Sequence, residues 1–391
     1  MAESIEREVP VELRPLLPGS DLQSGHATMF DGSADYAWDS RRVRLFGNAS
    51  SSLRYVYGLD RMATGPQNLY AAADVGLPRR GNLEISQGAT YAPSYFYQLL
   101  SATTPLDPGE AVPANPEYQI GQNESYSYQT RVALGFGSPR GTRLTTTAEY
   151  GLTDFKKQLA APPNLATSTV GAKLSRALSR RSTVSAGYEY DIAETGVGFI
   201  TKSHRATMGV KYTPPLSATR RATFRLDVST SVFESTASDP TGLAPTATAR
   251  HQSPLQGEAG VEYPFRLKWR AGASYRRSVD SMPGLSGPVE TNGGRVNLNG
   301  VIGRRVDVSA SGLYSSTESA LIPGANQFAS YSGEARIRYA LSRTLAVYSE
   351  YFHYSYDLGE HAPPALGVGV PGVYEQRGVR VGFTFFGQPI R

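Results

Sequence analysis

From residue 182 onward the chain changes polarity at every position. Ser182, Val184, Ala186, Tyr188 and Tyr190 share one parity, and Thr183, Ser185, Gly187, Glu189 and Asp191 share the other. A period of two sends successive side chains to opposite faces of a strand. The stretch therefore predicts a strand with one small, apolar and aromatic face and one polar face. The pattern returns in "LQGEAGVEY", where Leu255, Gly257, Ala259, Val261 and Tyr263 oppose Gln256, Glu258, Gly260 and Glu262. It continues in "FRLKWRAGASYRR", where Phe265, Leu267, Trp269, Ala271, Ala273 and Tyr275 oppose Arg266, Lys268, Arg270, Gly272, Ser274 and Arg276. In "RVDVSASGLY" and "YSGEARIRYAL" the polar parity carries Asp307, Ser309, Ser311, Glu334, Arg336 and Arg338.

These segments come in pairs around a repeated mark. Arginine doublets stand at Arg41-Arg42, Arg79-Arg80, Arg180-Arg181, Arg220-Arg221 and Arg304-Arg305, with single arginines at equivalent places at Arg140, Arg266 and Arg343. The spacing is near forty residues, with one longer gap, and a repeat of that period has to be explained first. Each unit reads as two long strands joined by a short Arg-bearing turn. Units are joined to one another by longer Pro-, Gly-, Ser- and Thr-rich stretches such as "FESTASDPTGLAPTATARHQ". Strand starts fall near residues 26, 42, 68, 81, 124, 141, 165, 181, 203, 221, 252, 265, 290, 305, 327, 344 and 374. A further strand is expected in "IEREVPVELR", where Val9, Val11 and Leu13 alternate with Glu8, Pro10 and Glu12 and where Pro10 fits an edge or a bulge. The expectation is eighteen strands in one domain over residues 1–391. Sixteen is the fallback if residues 1–25 are a periplasmic segment instead of the first strand.

Composition narrows what the apolar faces can touch. Only 40% of residues are hydrophobic and the mean hydropathy is −0.33, while tyrosine numbers 24 and glycine 40. Such a chain lacks material for a thick Val/Ile/Leu core, yet it is too aromatic for plain disorder. A β-propeller repeats at this period but places four short strands in each blade. A soluble sandwich or solenoid calls for bulkier inward residues than Ala, Gly and Tyr. A bilayer suits the pattern best. Transmembrane strands of about ten residues alternate apolar-out with polar-in, carry aromatic girdles, and join by short periplasmic turns and longer extracellular loops. Closure into a barrel satisfies every backbone group. The fold class expected is all-β, a transmembrane antiparallel up-and-down barrel.

No cysteine is present, which removes disulfides and thiolate metal sites. No apolar run is long enough for a membrane helix. The opening "MAESIEREVPVELRPLLPGS" has no apolar signal core, so the expectation is a mature chain with a start methionine or a protein that is not secreted.

The chain resembles Gram-negative outer-membrane β-barrels over nearly its whole length. In the last strand, "GVRVGFTFFG", Val379, Val381, Phe383 and Phe385 share one face, similar to the C-terminal signal read by the barrel-assembly machinery. The resemblance departs at "GQPIR" after Phe386, where the pattern usually stops at an aromatic residue. More loosely, the Tyr-rich hairpins resemble β-barrel porins found beside exopolysaccharide-export genes. The resemblance implies outer-membrane localisation, with outer-membrane lipid, the assembly machinery and envelope export components as partners.

The polar parity would line a bore. Its basic side is Arg266, Lys268, Arg270, Arg276, Arg295, Arg336 and Arg338, and its acidic members include Glu258, Glu262 and Glu334. Basic groups are expected in modest excess. Either the charges pair across neighbouring strands and keep the wall wet, or they form a ladder that selects anionic or sugar solutes. The long stretch 93–123, with Tyr95, Phe96, Tyr97, Asp107, Glu110 and Glu117, would fold inward as a constriction or stand outside as a cap. The turn arginines fit anionic lipid headgroups. The plainer account is a polar turn whose second arginine begins the inward face.

The function expected is a channel for small polar or anionic solutes or polysaccharide. The alternative is a structural or adhesive barrel with a plugged lumen and partner-binding loops. No enzyme, cofactor or metal site is expected, because His26, His204, His251, His353 and His361 are scattered without ligand spacing. Nor is nucleic-acid binding, since the basic residues alternate with apolar ones.

Overall fold

A computed structural model describes residues 2–10, 27–56, 61–93, 124–138, 140–156, 163–196, 198–215, 221–237, 247–252, 255–266, 268–285, 287–320, 327–357 and 373–386. Apart from one 3-10 turn at Pro78–Arg80, the regular structure is entirely strand. In chain order the strands are β1 (Ala2–Pro10), β2 (Ala27–Asp39), β3 (Val43–Val56), β4 (Arg61–Leu77), β5 (Gly81–Ala92), β6 (Ser125–Gly137), β7 (Thr142–Phe155), β8 (Leu165–Ala177), β9 (Ser182–Thr195) and β10 (Phe199–Tyr212). They continue as β11 (Thr223–Ala237), β12 (Ala247–Gln252), β13 (Gln256–Arg266), β14 (Trp269–Ser281), β15 (Pro288–Ile302), β16 (Val306–Ser319), β17 (Phe328–Ala340), β18 (Leu345–Asp357) and β19 (Val373–Phe386).

Each strand pairs antiparallel with the next. β12 and β13 are two pieces of one strand, because both pair with β11: Val232–Ala237 face β12, and Thr223–Ser229 face β13. Counted so, β2 to β19 supply seventeen strands, an open meander with edges at β2 and β19. β1 joins those edges, Glu6 pairing with Asp31 of β2 and with Thr384 of β19. The up-and-down meander itself numbers seventeen strands among the described residues, one fewer than the expected eighteen.

The starts read from alternation lie within a few residues of these, save that β4 begins at Arg61 instead of near 68. The cause is a bulge. Ser51 pairs with Gln67 and Leu53 with Thr64, which leaves Gly65 and Pro66 without partners in the ladder. A proline lacks the N–H of a ladder position and is accommodated at such a break. Val11 and Leu13 of the expected first strand lie outside the described residues.

The turns explain why serine so often precedes the arginines. Ser40 Oγ accepts the backbone N–H of Val43 at 3.2 Å. Ser179 Oγ accepts those of Arg181 and Ser182 at 3.1 and 3.0 Å. Ser138 and Ser342 do the same for Arg140 and Thr344, at 3.3 and 3.2 Å. A serine hydroxyl that takes up turn N–H groups reverses the chain in a few residues and leaves the next side chain free to be long and charged. Arg80 holds the left-handed region at φ 65°, which an arginine adopts at a cost of about 1 kcal/mol. The opposite end is less uniform than expected: β9 and β10 are joined by residues 196–198 alone, and β14 and β15 by residues 282–287.

The two faces have different surroundings. The outer face carries Val170, Leu174, Met208, Val210, Leu226, Val296, Ile337 and Val381, all exposed, with Met208 at 74%. Aromatic residues bracket this band. Trp38, Phe136, Tyr212, Phe224, Tyr263, Tyr339 and Phe383 stand near the turns, and Tyr126, Tyr150, Tyr188, Tyr275, Tyr314 and Tyr351 stand toward the loops. Val379, Val381, Phe383 and Phe385 of the last strand are all on this face and exposed. Trp269 lies against Gly300, where a Cβ would run into its ring. An apolar band of this size, bordered by aromatic girdles, is the surface of a membrane-spanning barrel.

The lipid face is testable by parity. Met208→Arg is expected to lower the unfolding free energy in bilayers by about 2–4 kcal/mol. The neighbouring bore-side change Thr207→Arg is expected to stay within about 1 kcal/mol. Urea titration of the liposome-folded barrel separates the two; equal penalties would contradict the assignment of faces.

Candidate functional site

The inner face is built by register. Pairing sets Arg131 opposite Glu149, Glu149 opposite Thr169, and Thr169 opposite Asp191. Across β9 and β10, Glu189 faces Arg205. Farther round, Asp227 faces Glu258, Ser274 faces Arg295, Ser311 faces Glu334, and Arg336 faces Glu350, which in turn faces Arg380. A belt of ionisable side chains therefore lines the middle of the bore.

Most of these groups are paired. Glu350 is clamped on both oxygens, by Arg336 Nε at 2.5 Å and by Arg380 Nη1 at 2.8 Å. Arg380 and Glu350 are 2% and 3% exposed, and the two guanidiniums lie over the rings of Phe352 and Tyr348 at 4.2 and 4.6 Å. Buried ions need such pairing, because their desolvation cost is otherwise uncompensated. Arg338 bonds Asp307 at 2.5 Å, and Ser311 donates to Glu334 at 3.0 Å. Arg225 stands 3.6 Å from Glu258, and Lys173 stands 3.5 Å from Asp227.

Lys173 of β8 thereby reaches past β9 and β10 to β11, and a second pair also joins strands that are not neighbours. Arg205 of β10 donates to Asp280 Oδ1 at 2.7 Å and to the Val279 carbonyl at 3.0 Å, although β11 and β13 separate β10 from β14. Arg276 reaches the other oxygen of Asp280 at 3.5 Å. The end of β14 is thereby drawn inward, and Met282 and Leu285 of the following connection are buried. At this loop end the inner face is buried and mixed: Phe155, Leu165, Phe233, Val289, Phe328 and Tyr356 lie among Ser125, Thr153, Thr201, Ser235, Thr317 and Ser330.

The predicted residues divide accordingly. Arg270, Arg276, Arg295, Arg336, Arg338, Glu258, Glu262 and Glu334 lie on the bore-side register. Arg266 and Lys268 do not. A bulge between Tyr263 and Arg266 breaks the alternation, Arg266 closes the hairpin opposite Trp269, and its side chain lies outside the described residues. Lys268 stands in the two-residue turn, its Nζ donating to the Gly303 carbonyl at 2.8 Å. Tyr95, Phe96, Tyr97, Asp107, Glu110 and Glu117 also lie outside the described residues.

Asp35, Asp39, Asp191 and Asp280, omitted from the sequence-based wall, join it, as do Arg44 and Arg380. Arg380 was legible, having the parity opposite to Val379 and Val381. Asp280 was not, because it lies past the apolar stripe that marked its strand. The signs are unevenly shared around the bore. On β2 to β9, Asp35, Asp39, Asp74, Glu84, Glu149, Glu189 and Asp191 nearly match Arg42, Arg44, Arg131, Arg143, Lys173 and Arg181. On β14 to β19, Arg270, Arg276, Arg295, Arg336, Arg338 and Arg380 outweigh Asp280, Asp307, Glu334 and Glu350.

No protein-family profile and no curated protein sequence matches the chain. Among solved structures it is similar to OpdL of Pseudomonas aeruginosa, at 11% identity over 98% of both chains with a TM-score of 0.43. It is similar to OccK11 (OpdR) of the same organism, at 13% identity over 98% of this chain and 94% of that one, TM-score 0.44. It is also similar to the alcaligin outer-membrane receptor FauA of Bordetella pertussis, at 10% identity over 99% and 75%, TM-score 0.44. The architecture rests on the strand register, and the bore on the residues that line it.

Removing the shared carboxylate tests the clamp. Glu350→Gln leaves two guanidiniums facing a neutral amide and is expected to cost about 3 kcal/mol. Lys173→Gln, at a more exposed pair, is expected to cost no more than about 1 kcal/mol. Urea midpoints of the two variants in the same micelles supply the comparison.

Proposed function

We propose that this protein is a porin-like channel of the outer membrane that passes small polar solutes through a charged bore. The supporting observation is the inner wall: ionisable side chains line it from β2 to β19, many half-exposed, inside a belt that only lipid suits. Charges so placed need water, and rings of charge set pore selectivity. The uneven sharing of sign lays a field across the bore, from the Arg295–Arg336–Arg338 side toward the Glu149–Glu189–Asp191 side. Solutes with separated charges, or anions hugging the basic side, fit that field best.

Polysaccharide passage as part of an export route is the large-solute form of the same reading. It requires a wide opening at the loop end, where Phe155, Phe233, Phe328 and Tyr356 are packed away from solvent. Small solutes are therefore preferred here. The same packing supports the second reading, a barrel closed at its loop end whose loops bind a partner.

Planar-bilayer recording decides between them. The channel reading expects discrete steps and a measurable reversal potential in a salt gradient. Arg270→Glu, at an exposed bore position, is expected to move that potential toward cation preference by several millivolts, on the order of a twofold change in permeability ratio. Silent membrane-inserted protein would support the closed barrel and remove the channel.

A further inference from the structure

The arginines of the turns have no part in the bore chemistry above, and the structure separates each doublet into two roles. The second arginine belongs to the wall. The carbonyls of Arg42, Arg181 and Arg305 accept ladder bonds from Gly76, Thr213 and Ala340 at 2.7, 2.8 and 2.8 Å, so each continues its strand. By parity these three share the bore face with Arg44, Thr183 and Asp307. The first arginine of each doublet falls on the opposite parity, toward the outside.

We infer that Arg41, Arg140, Arg180, Arg304 and Arg343 form a cationic crown around the turn rim that binds anionic phospholipid headgroups of the adjoining leaflet. All five are exposed. None makes an ion pair or a side-chain hydrogen bond with another described residue. The turn sequences "SRR", "SPRG", "LSRR", "GRR" and "LSRT" contain no carboxylate. Asp39, the acid nearest Arg41, is held by Arg44 at 2.7 Å.

Their height identifies the partner. Trp38 precedes Arg41 by three residues, Phe136 precedes Arg140 by four, and Tyr339 precedes Arg343 by four. All three rings are exposed on the outer face. Interfacial aromatic residues mark the level of the headgroups. The crown therefore lies beside the phosphates of one leaflet, where each basic side chain near an anionic surface favours binding by about fivefold. The inference rests on the membrane reading of the barrel and is independent of whether the bore conducts.

The chain has two tryptophans, Trp38 and Trp269, and both stand at this rim. The experiment folds the full chain into vesicles of brominated phosphatidylcholine and titrates in unbrominated phosphatidylglycerol. Relief of tryptophan quenching then reports the anionic lipid's association relative to phosphatidylcholine. A preference of about fivefold is expected at low ionic strength, falling toward unity in about 1 M NaCl, where the Debye length shrinks to roughly 3 Å. Changing Arg41, Arg180, Arg304 and Arg343 together to Gln should abolish it, and changing the same four to Lys should retain it. Heat-modifiable migration verifies folding of each variant. A wild-type ratio near unity, or a ratio insensitive to salt, overturns the proposal without any variant. Capture of poly-aspartate by wild-type barrels that show no lipid preference would instead make the rim a docking face for an acidic protein. Failure to insert would sink the membrane reading itself, whereas a silent barrel with intact lipid preference would sink only the channel.

Discussion

The wall of this protein is one strand thick, and that single layer must satisfy its backbone while separating two unlike media. A strand in hydrocarbon has no water to bond its N–H and C=O groups, so every one needs a neighbouring strand. Antiparallel pairing with short turns meets that need from β2 to β19, and β1 supplies the bond partners that two free edges would otherwise lack. Alternation then follows, because a side chain in a one-layer wall can point only toward lipid or toward the bore. The low hydrophobic content and the wealth of tyrosine and glycine are consequences of having no interior in the ordinary sense.

The bore takes the place of a core, and it changes character along its axis. At mid-height the side chains are ionic and bonded to neighbours one strand away, as in the Arg336–Glu350–Arg380 clamp. Toward the loops the inner parity becomes buried, with aromatic and aliphatic side chains among hydroxyls, and the Arg205–Asp280 bond ties two strands that do not touch in the sheet. The first arrangement compensates charge within the wall. The second narrows the passage by packing.

The turn end follows a third chemistry. Serine hydroxyls take up the turn N–H groups, so the reversals need few glycines and leave room for arginine. The second arginine of a doublet continues the ladder and the first does not. One dipeptide thus serves both sides of the wall.

Period-two alternation in the sequence determined the fold class, nearly all strand starts and the lipid-facing set, because in a one-layer wall face follows from parity alone. It placed Arg276, Arg336, Glu334 and Phe383 without reference to distance. It failed where the ladder inserts residues: at Pro66, whose bulge hid the start of β4, and between Tyr263 and Arg266, whose bulge breaks the alternating register before Arg266 and Lys268. Only the tertiary structure decided which charges meet, because pairing depends on the relative shift of neighbouring strands. Only it could show that Asp280 reaches Arg205, since a contact made through the interior between strands that share no ladder leaves no period in the chain.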